Sequence, residues 1–366
     1  MKARVIAMYL PQYHPTPEND YYWGKGFTEW TNVVKARPLF RGHYQPKLPA
    51  DLGFYDLRLP EVREQQAQMA KEAGVEGFLY WHYWFGNGKM TLERPFKEVL
   101  ESGKPDFPFC LGWANHTWSN KTWTKQKNFT QDTIIFEQTY PGDEDYIAHF
   151  NYCLPAFKDK RYITIDGKPV FAVFLPGNIP DVEHFISLWR KLAKEAGLPG
   201  IHFIGFRQLR KTLSTEELRQ KGFDAINNGG YNMWKAECNS SGSKFIKLAK
   251  FYLSNKFNLP LQRYKYKKII KWLCNEDDYA EDVYPTLLPG YDRAPRAGKR
   301  AQIYYGTTPE LFAKHVDDVL EHVKNKSDEH KVVLLKSWNE WGEGNYMEPD
   351  DRYGTAFLDV LREKLK

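Results

Sequence analysis

Uninterrupted apolar runs alternate with segments of helical periodicity along most of the chain. Residues 4–9 form a short run that is almost entirely apolar, the pattern of a strand covered on both faces. Residues 60–73 have helical spacing, with Pro60 at the start and Gly74 just beyond the end, as expected of a helix. The same alternation predicts strands over 75–83, 107–114, 169–175, 201–206, 223–227, 283–288 and 332–337. Helices are expected over 92–102, 145–158, 181–196, 215–221, 309–324 and 355–364. Repeated βα alternation makes a parallel sheet, and eight strands close a ring. The predicted fold class is therefore α/β, a (β/α)8 TIM barrel. A doubly wound open sheet would carry a glycine-rich turn after its first strand, and Leu10-Pro11-Gln12-Tyr13-His14 is not one.

Two long stretches lie outside this alternation. Residues 14–53 are rich in aromatics, Pro and Gly and read as an ordered loop over one end of the barrel. Residues 231–282 read as a helical insertion. No linker or repeat divides the chain, so residues 1–366 are expected to form one catalytic domain with that insertion.

Composition adds a hint of ligand. Aromatic residues make up 16 % of the chain, including 12 Trp. A buried indole must satisfy its N–H, so this many Trp suggests either a large aromatic core or stacking faces for sugars. The net charge of +6 is mild for 366 residues, and no RNA-binding motif accompanies it, so nucleic acid is not an expected partner. Cys110, Cys153, Cys238 and Cys274 are widely spaced, which predicts no metal site and no disulfide framework. His82 and His116 lack a third ligand at a recognisable spacing. No cofactor motif is present. The N-terminal segment carries no secretory pattern and no stretch reaches a membrane-spanning length. A cytoplasmic location is expected.

Active sites of such barrels lie at the C-terminal strand ends. The residues there are Tyr13 and His14 after the first strand, Trp81 and His82 at the second, and Trp113 and Asn115 at the third. Asn228 follows the sixth strand, and Tyr291 and Asp292 the seventh. The eighth runs into Asn339, Glu340, Trp341 and Glu343. Polar groups that bond hydroxyls and rings that stack on sugars recur around this end; Trp30 in the first loop joins them. Glu340 and Glu343 are the leading catalytic candidates, because glycoside chemistry needs one carboxyl to protonate the leaving oxygen and another as base or nucleophile. Glu29 and Glu348 are open between a cleft role and a loop role.

The stretch Ser337-Trp338-Asn339-Glu340-Trp341-Gly342-Glu343-Gly344 resembles the Asn-Glu-Trp-x-Glu signature of glycoside hydrolase family 99. The chain as a whole is similar to the WbsX-type proteins. That likeness is carried by Tyr9-Leu10-Pro11-Gln12-Tyr13-His14, Gly26-Phe27-Thr28-Glu29-Trp30-Thr31-Asn32-Val33, His43-Tyr44-Gln45-Pro46, Trp81-His82-Tyr83-Trp84 and Pro289-Gly290-Tyr291-Asp292. The resemblance implies a retaining glycosidase on α-linked bacterial surface polysaccharide or a mannan-like oligosaccharide. It implies Glu340 as a base on the sugar 2-hydroxyl and Glu343 as the general acid. Gly342 stands where family 99 commonly has His, which leaves mannose specificity open. Competing expectations are a glycosyltransferase or transglycosylase of surface-polysaccharide synthesis and a non-catalytic carbohydrate-binding barrel.

From Lys244 to Lys271 the insertion carries nine Lys or Arg and no acid, interleaved with aromatics. Two readings are open: a solvated basic face packed on the barrel, or peripheral contact with an anionic membrane.

Overall fold

The computed structural model describes residues 2–119, 134–209 and 213–366. Eight parallel strands form the barrel: β1 (Arg4–Tyr9), β2 (Val75–His82), β3 (Phe109–Trp113), β4 (Lys168–Val173), β5 (His202–Phe206), β6 (Ala225–Asn227), β7 (Thr286–Leu287) and β8 (Val332–Leu335). Their order is β7-β8-β1-β2-β3-β4-β5-β6. A parallel bridge from Ile226 to Val283, just before β7, brings the two edges together. The sequence pattern suggested a strand over 283–288. The regular ladder is shorter because Pro285, in its middle, has no N–H to donate; the Pro285 carbonyl still accepts from Leu334 N at 2.9 Å.

Helices cover the outside: α1 (Pro60–Glu72), α2 (Arg94–Ser102), α3 (Asp143–Phe157), α4 (Val182–Glu195), α5 (Thr215–Gln220), α6 (Gly229–Ser241), α7 (Lys244–Phe257), α8 (Pro309–Val323) and α9 (Ala356–Leu365). Each barrel strand is apolar on both faces because one face packs inside the ring and the other against helices. The principal core holds Val5, Phe78, Phe109, Phe171, Phe203 and Val333, all at most 1 % exposed. The insertion begins at Gly229, directly after β6, and contains α6 and α7. It has its own small core around Met233, Tyr264, Tyr266, Leu288 and Tyr304. The first long loop is ordered and carries two short helices, Pro17–Trp23 and Trp30–Val33.

The exit of β8 is stitched to the exit of β1. Trp338 N and Ser337 Oγ both donate to the Met8 carbonyl at 2.7 Å. The Asn339 side chain accepts from Leu10 N at 2.8 Å and donates to Leu10 O at 3.0 Å. The chain leaving β8 is thus fixed where Glu340 follows.

Candidate active site

Glu340 and Glu343 meet over a single guanidinium. Arg296 Nη1 lies 2.8 Å from Glu340 Oε1 and 2.9 Å from Glu343 Oε1. The rest of the fork grips Glu29: Nε to Oε1 at 2.9 Å and Nη2 to Oε2 at 3.2 Å. Arg293 Nε is 3.1 Å from the same Glu343 oxygen. Lys336, the first residue after β8, acts on both carboxylates of the pair. Three acids therefore face three cations in a largely covered site; the side chains of Glu340 and Glu343 are each 14 % exposed and Glu29 is fully buried.

The unequal sharing of cations splits the carboxylates. Burial is the largest influence on each and pushes upward. For Glu343 the two guanidiniums outweigh it and hold the carboxyl at about 2. Glu340 has Arg296 but not Arg293 as a contact, and burial with the neighbouring Glu343 charge raises it. Glu29 is also raised by burial despite its bidentate partner. In the resting protein Glu343 is the firmly ionised member and Glu340 the readier proton holder. Burial and the charges of the pair also raise the phenols of Tyr83 and Tyr291.

The loop that delivers Arg296 is anchored from a distance. Arg296 sits in a short helix, Ala294–Ala297, whose first N–H, on Ala294, donates to Asp292 Oδ1 at 2.9 Å. Asp292 Oδ2 takes Gln45 Nε2 at 2.7 Å and His43 Nε2 at 2.8 Å. His43 Nδ1 accepts from Leu39 N at 3.0 Å, so its proton is on Nε2 and points to Asp292. These bonds offset burial and lower the Asp292 carboxyl. Asp292 thus ties the first long loop, which bears Glu29, to the loop that bears Arg296.

Gly342 makes the arrangement possible. A Cβ on it would stand 1.6 Å from Glu29 Oε1 and 2.9 Å from Arg296 Nε. Glu29 is fully buried and held on both oxygens, so it has nowhere to retreat. Gly342→Ala should break the Glu29–Arg296 fork and destabilise by roughly 2–4 kcal/mol. A thermal melt reads this; an unchanged melting temperature would show that the fork can move aside.

Most of the other candidates serve as scaffold. Tyr13, fully buried, donates to the Asn339 carbonyl at 2.6 Å and accepts from Trp341 N at 3.1 Å. Trp30 Nε1 donates to the Tyr55 carbonyl at 2.8 Å. Trp113 Nε1 donates to the Trp84 carbonyl, also at 2.8 Å. His14 Nδ1 is 2.9 Å from the Pro11 carbonyl. Asn115 is fully buried and bonds both the N–H and the carbonyl of Leu175. Trp341 stacks on Tyr346 at 3.7 Å, and its Nε1 donates to Glu348 at 2.6 Å. Glu348 also accepts from Tyr55 at 2.9 Å and Gln66 at 2.6 Å, and burial raises it to about 7. It is a buried internal anchor and not a solvated loop residue.

His82 Nε2 faces His149 Nε2 at 2.8 Å. Burial lowers both, His82 to about 3, so this is a neutral pair sharing one N–H. Cys153 lies beside it, and Cys274, Asp318 and His322 form a second grouping. Asn228 keeps its Nδ2 without a partner among the described residues. Half-buried Trp81 meets Phe174 and Phe206 edge-on at 5.4 and 5.9 Å, at the ends of β2, β4 and β5. Sequence reasoning missed Arg293, Arg296 and Lys336. Their one available signal was position, just after the seventh and eighth strands.

Fold and site together define a (β/α)8 barrel with a guanidinium-bridged carboxylate pair at its C-terminal end. The chain belongs to the family described as "Glycosyltransferase WbsX", whose model matches residues 5–361. "Uncharacterized protein WxcX" of Xanthomonas campestris pv. campestris (strain B100) is 33 % identical over 368 residues, covering 100 % of this chain and 50 % of the relative. The chain thus spans about half the length of the curated relatives it matches. Among solved structures, a "Glycoside hydrolase-like protein" superposes with a TM-score of 0.63 at 16 % identity, covering 100 % of this chain and 94 % of the other. The GH99 endo-alpha-mannosidase from Bacteroides thetaiotaomicron, in complex with bis-tris-propane, gives 0.56 at 14 % identity, with coverage of 100 % and 96 %. At such identities these structures share the fold.

Proposed function

We propose that the chain is a retaining-type glycoside hydrolase acting on α-linked bacterial surface polysaccharide or a mannan-like oligosaccharide, with Glu340 as base and Glu343 as general acid. The observation that carries this reading is the carboxylate pair on one guanidinium nitrogen. Two oxygens so close to one atom cannot stand about 6.5–9.5 Å apart, the separation that admits an inverting water. Half-buried Trp81 is the ring we assign to stacking on a sugar, whereas Tyr291 is buried against Tyr304. One neighbour in fold is an endo-alpha-mannosidase, which agrees with an α-linked substrate.

A second reading, glycosyl transfer by the same pair, is favoured by the family's description. The two differ in whether water or a sugar hydroxyl accepts the glycosyl group. The discriminating experiment incubates the protein with α-mannans and bacterial surface polysaccharides, with and without an added acceptor oligosaccharide. New reducing ends mean hydrolysis. A lengthened acceptor without them means transfer. Saturable binding with neither product would leave a non-catalytic barrel and sink the proposal.

The resting charge order is the reverse of these roles, so substrate must loosen Glu343 from Arg293 before it can give a proton. Arg293→Gln removes one cation and raises Glu343. Glu343 has the lower value in the resting protein, so the acidic limb of kcat/KM moves to higher pH. If Glu343 is the acid, its productive protonated form also becomes more populated and kcat/KM at the optimum rises; a moved limb with no rise would exchange the roles.

A further inference from the structure

Helix α7 is built inside out. Its buried side chains are Lys247 and Ser254, seven residues apart and so on one face. Lys247 Nζ is 3.3 Å from Glu237 on α6, with both side chains almost fully covered. Ser254 donates to the Leu259 carbonyl at 2.7 Å. The bulky apolar residues point away from the protein. Phe245 is 82 % exposed, Tyr252 59 % and Phe257 56 %, with Phe251, Leu248 and Leu253 also open. A helix lying on a globular core in water has the opposite order, apolar side in and polar side out. Exposed apolar surface of this extent marks an interaction face.

Charge narrows the partner. Of the nine Lys and Arg between Lys244 and Lys271, Lys247 alone is in a salt bridge among the described residues. The segment holds no acid to neutralise the other eight. Two copies of this face would bring like charges together, which disfavours self-association. A polyanion such as nucleic acid would use the cations but leave the Phe and Leu side chains unsatisfied. An anionic bilayer satisfies both: apolar rings enter the headgroup–acyl boundary, and lysines reach along their stems to lipid phosphates. No helix among the described residues is long and apolar enough to cross a membrane.

We propose that α7 and the basic segment after it seat the protein flat on an anionic lipid surface. The seat adjoins the candidate active site. The α6–α7 insertion leaves the barrel at the C-terminal end of β6, and Ser254 Oγ is 3.5 Å from the carbonyl of Lys299, three residues beyond Arg296. Docking therefore turns the carboxylate end of the barrel toward the lipid surface.

Co-sedimentation with vesicles of phosphatidylcholine alone, and of phosphatidylcholine mixed with phosphatidylglycerol, tests this. Binding to the mixed vesicles is expected, weakening as salt is raised. Phe245→Ser/Tyr252→Ser and, separately, Lys256→Glu/Lys267→Glu should each lower the bound fraction about tenfold. All four side chains are exposed, so the variants should keep the wild-type melting temperature, which checks folding. Failure of the wild type to bind mixed vesicles overturns the proposal. So does vesicle binding unchanged in Phe245→Ser/Tyr252→Ser, or a dimer in sedimentation velocity that the same variant dissociates.

Discussion

Glu340→Gln and Glu343→Gln should each lower kcat/KM on the substrate of the proposed hydrolase by about two to four orders of magnitude, the range that a positioned proton-transfer group supplies. The amide keeps the shape and hydrogen bonds of the carboxyl but neither takes nor gives the proton. The two variants should differ on a substrate with an activated aryl leaving group. That group departs without protonation, so Glu343→Gln recovers most of its turnover, whereas Glu340→Gln does not. The double variant should be little worse than the more damaged single one, because the two groups act in one sequence of steps. Rates within a few-fold of wild type in both single variants would remove the pair from catalysis.

The barrel was legible because the ring strands are covered on both faces and so read as unbroken apolar runs. Where a local residue overrode that pattern, as Pro285 does in β7, the ladder came out shorter than the run. The carboxylate pair stood out less by its spacing than by its place at the exit of the eighth strand, its Trp neighbours and its resemblance to the Asn-Glu-Trp-x-Glu signature. The role of Glu29 stayed open and Arg296 was missed, because each contributes through a contact across hundreds or tens of residues that only the closed ring creates. Asn115, Asn339, Trp113 and Trp341 show the opposite difficulty. A strand-end Asn or Trp can aim at a ligand or back into the scaffold, and the sequence does not say which. Here Asn339 clamps Leu10, Asn115 clamps Leu175, and each indole N–H finds a carbonyl or Glu348. Gly342 was noticed as a missing side chain; the structure shows its space filled by the Glu29–Arg296 fork.

Arg296→Met should be the most destabilising single change at the site, by about 3–5 kcal/mol at neutral pH, as expected when one partner of a buried ionic cluster is removed. It leaves Glu29, Glu340 and Glu343 facing one another with only Arg293 and Lys336 near the pair. The pH dependence gives the test its sign. In the wild type, Glu343 is held at about 2, below its unfolded value of about 4.3. Its contribution is present above that unfolded value and is lost as pH falls toward 2. In Arg296→Met Glu343 rises instead, and Glu29 and Glu340, already raised by burial, rise further, so the folded state holds more protons that the unfolded chain has released. Stability then falls as pH climbs from about 4.3 through the raised values, and is recovered on acidification. Urea midpoints between pH 4 and 8 should therefore converge toward the acid end and diverge toward the neutral one. Parallel curves would mean that the loss is one of packing, and that Arg296 does not set the charge of the pair.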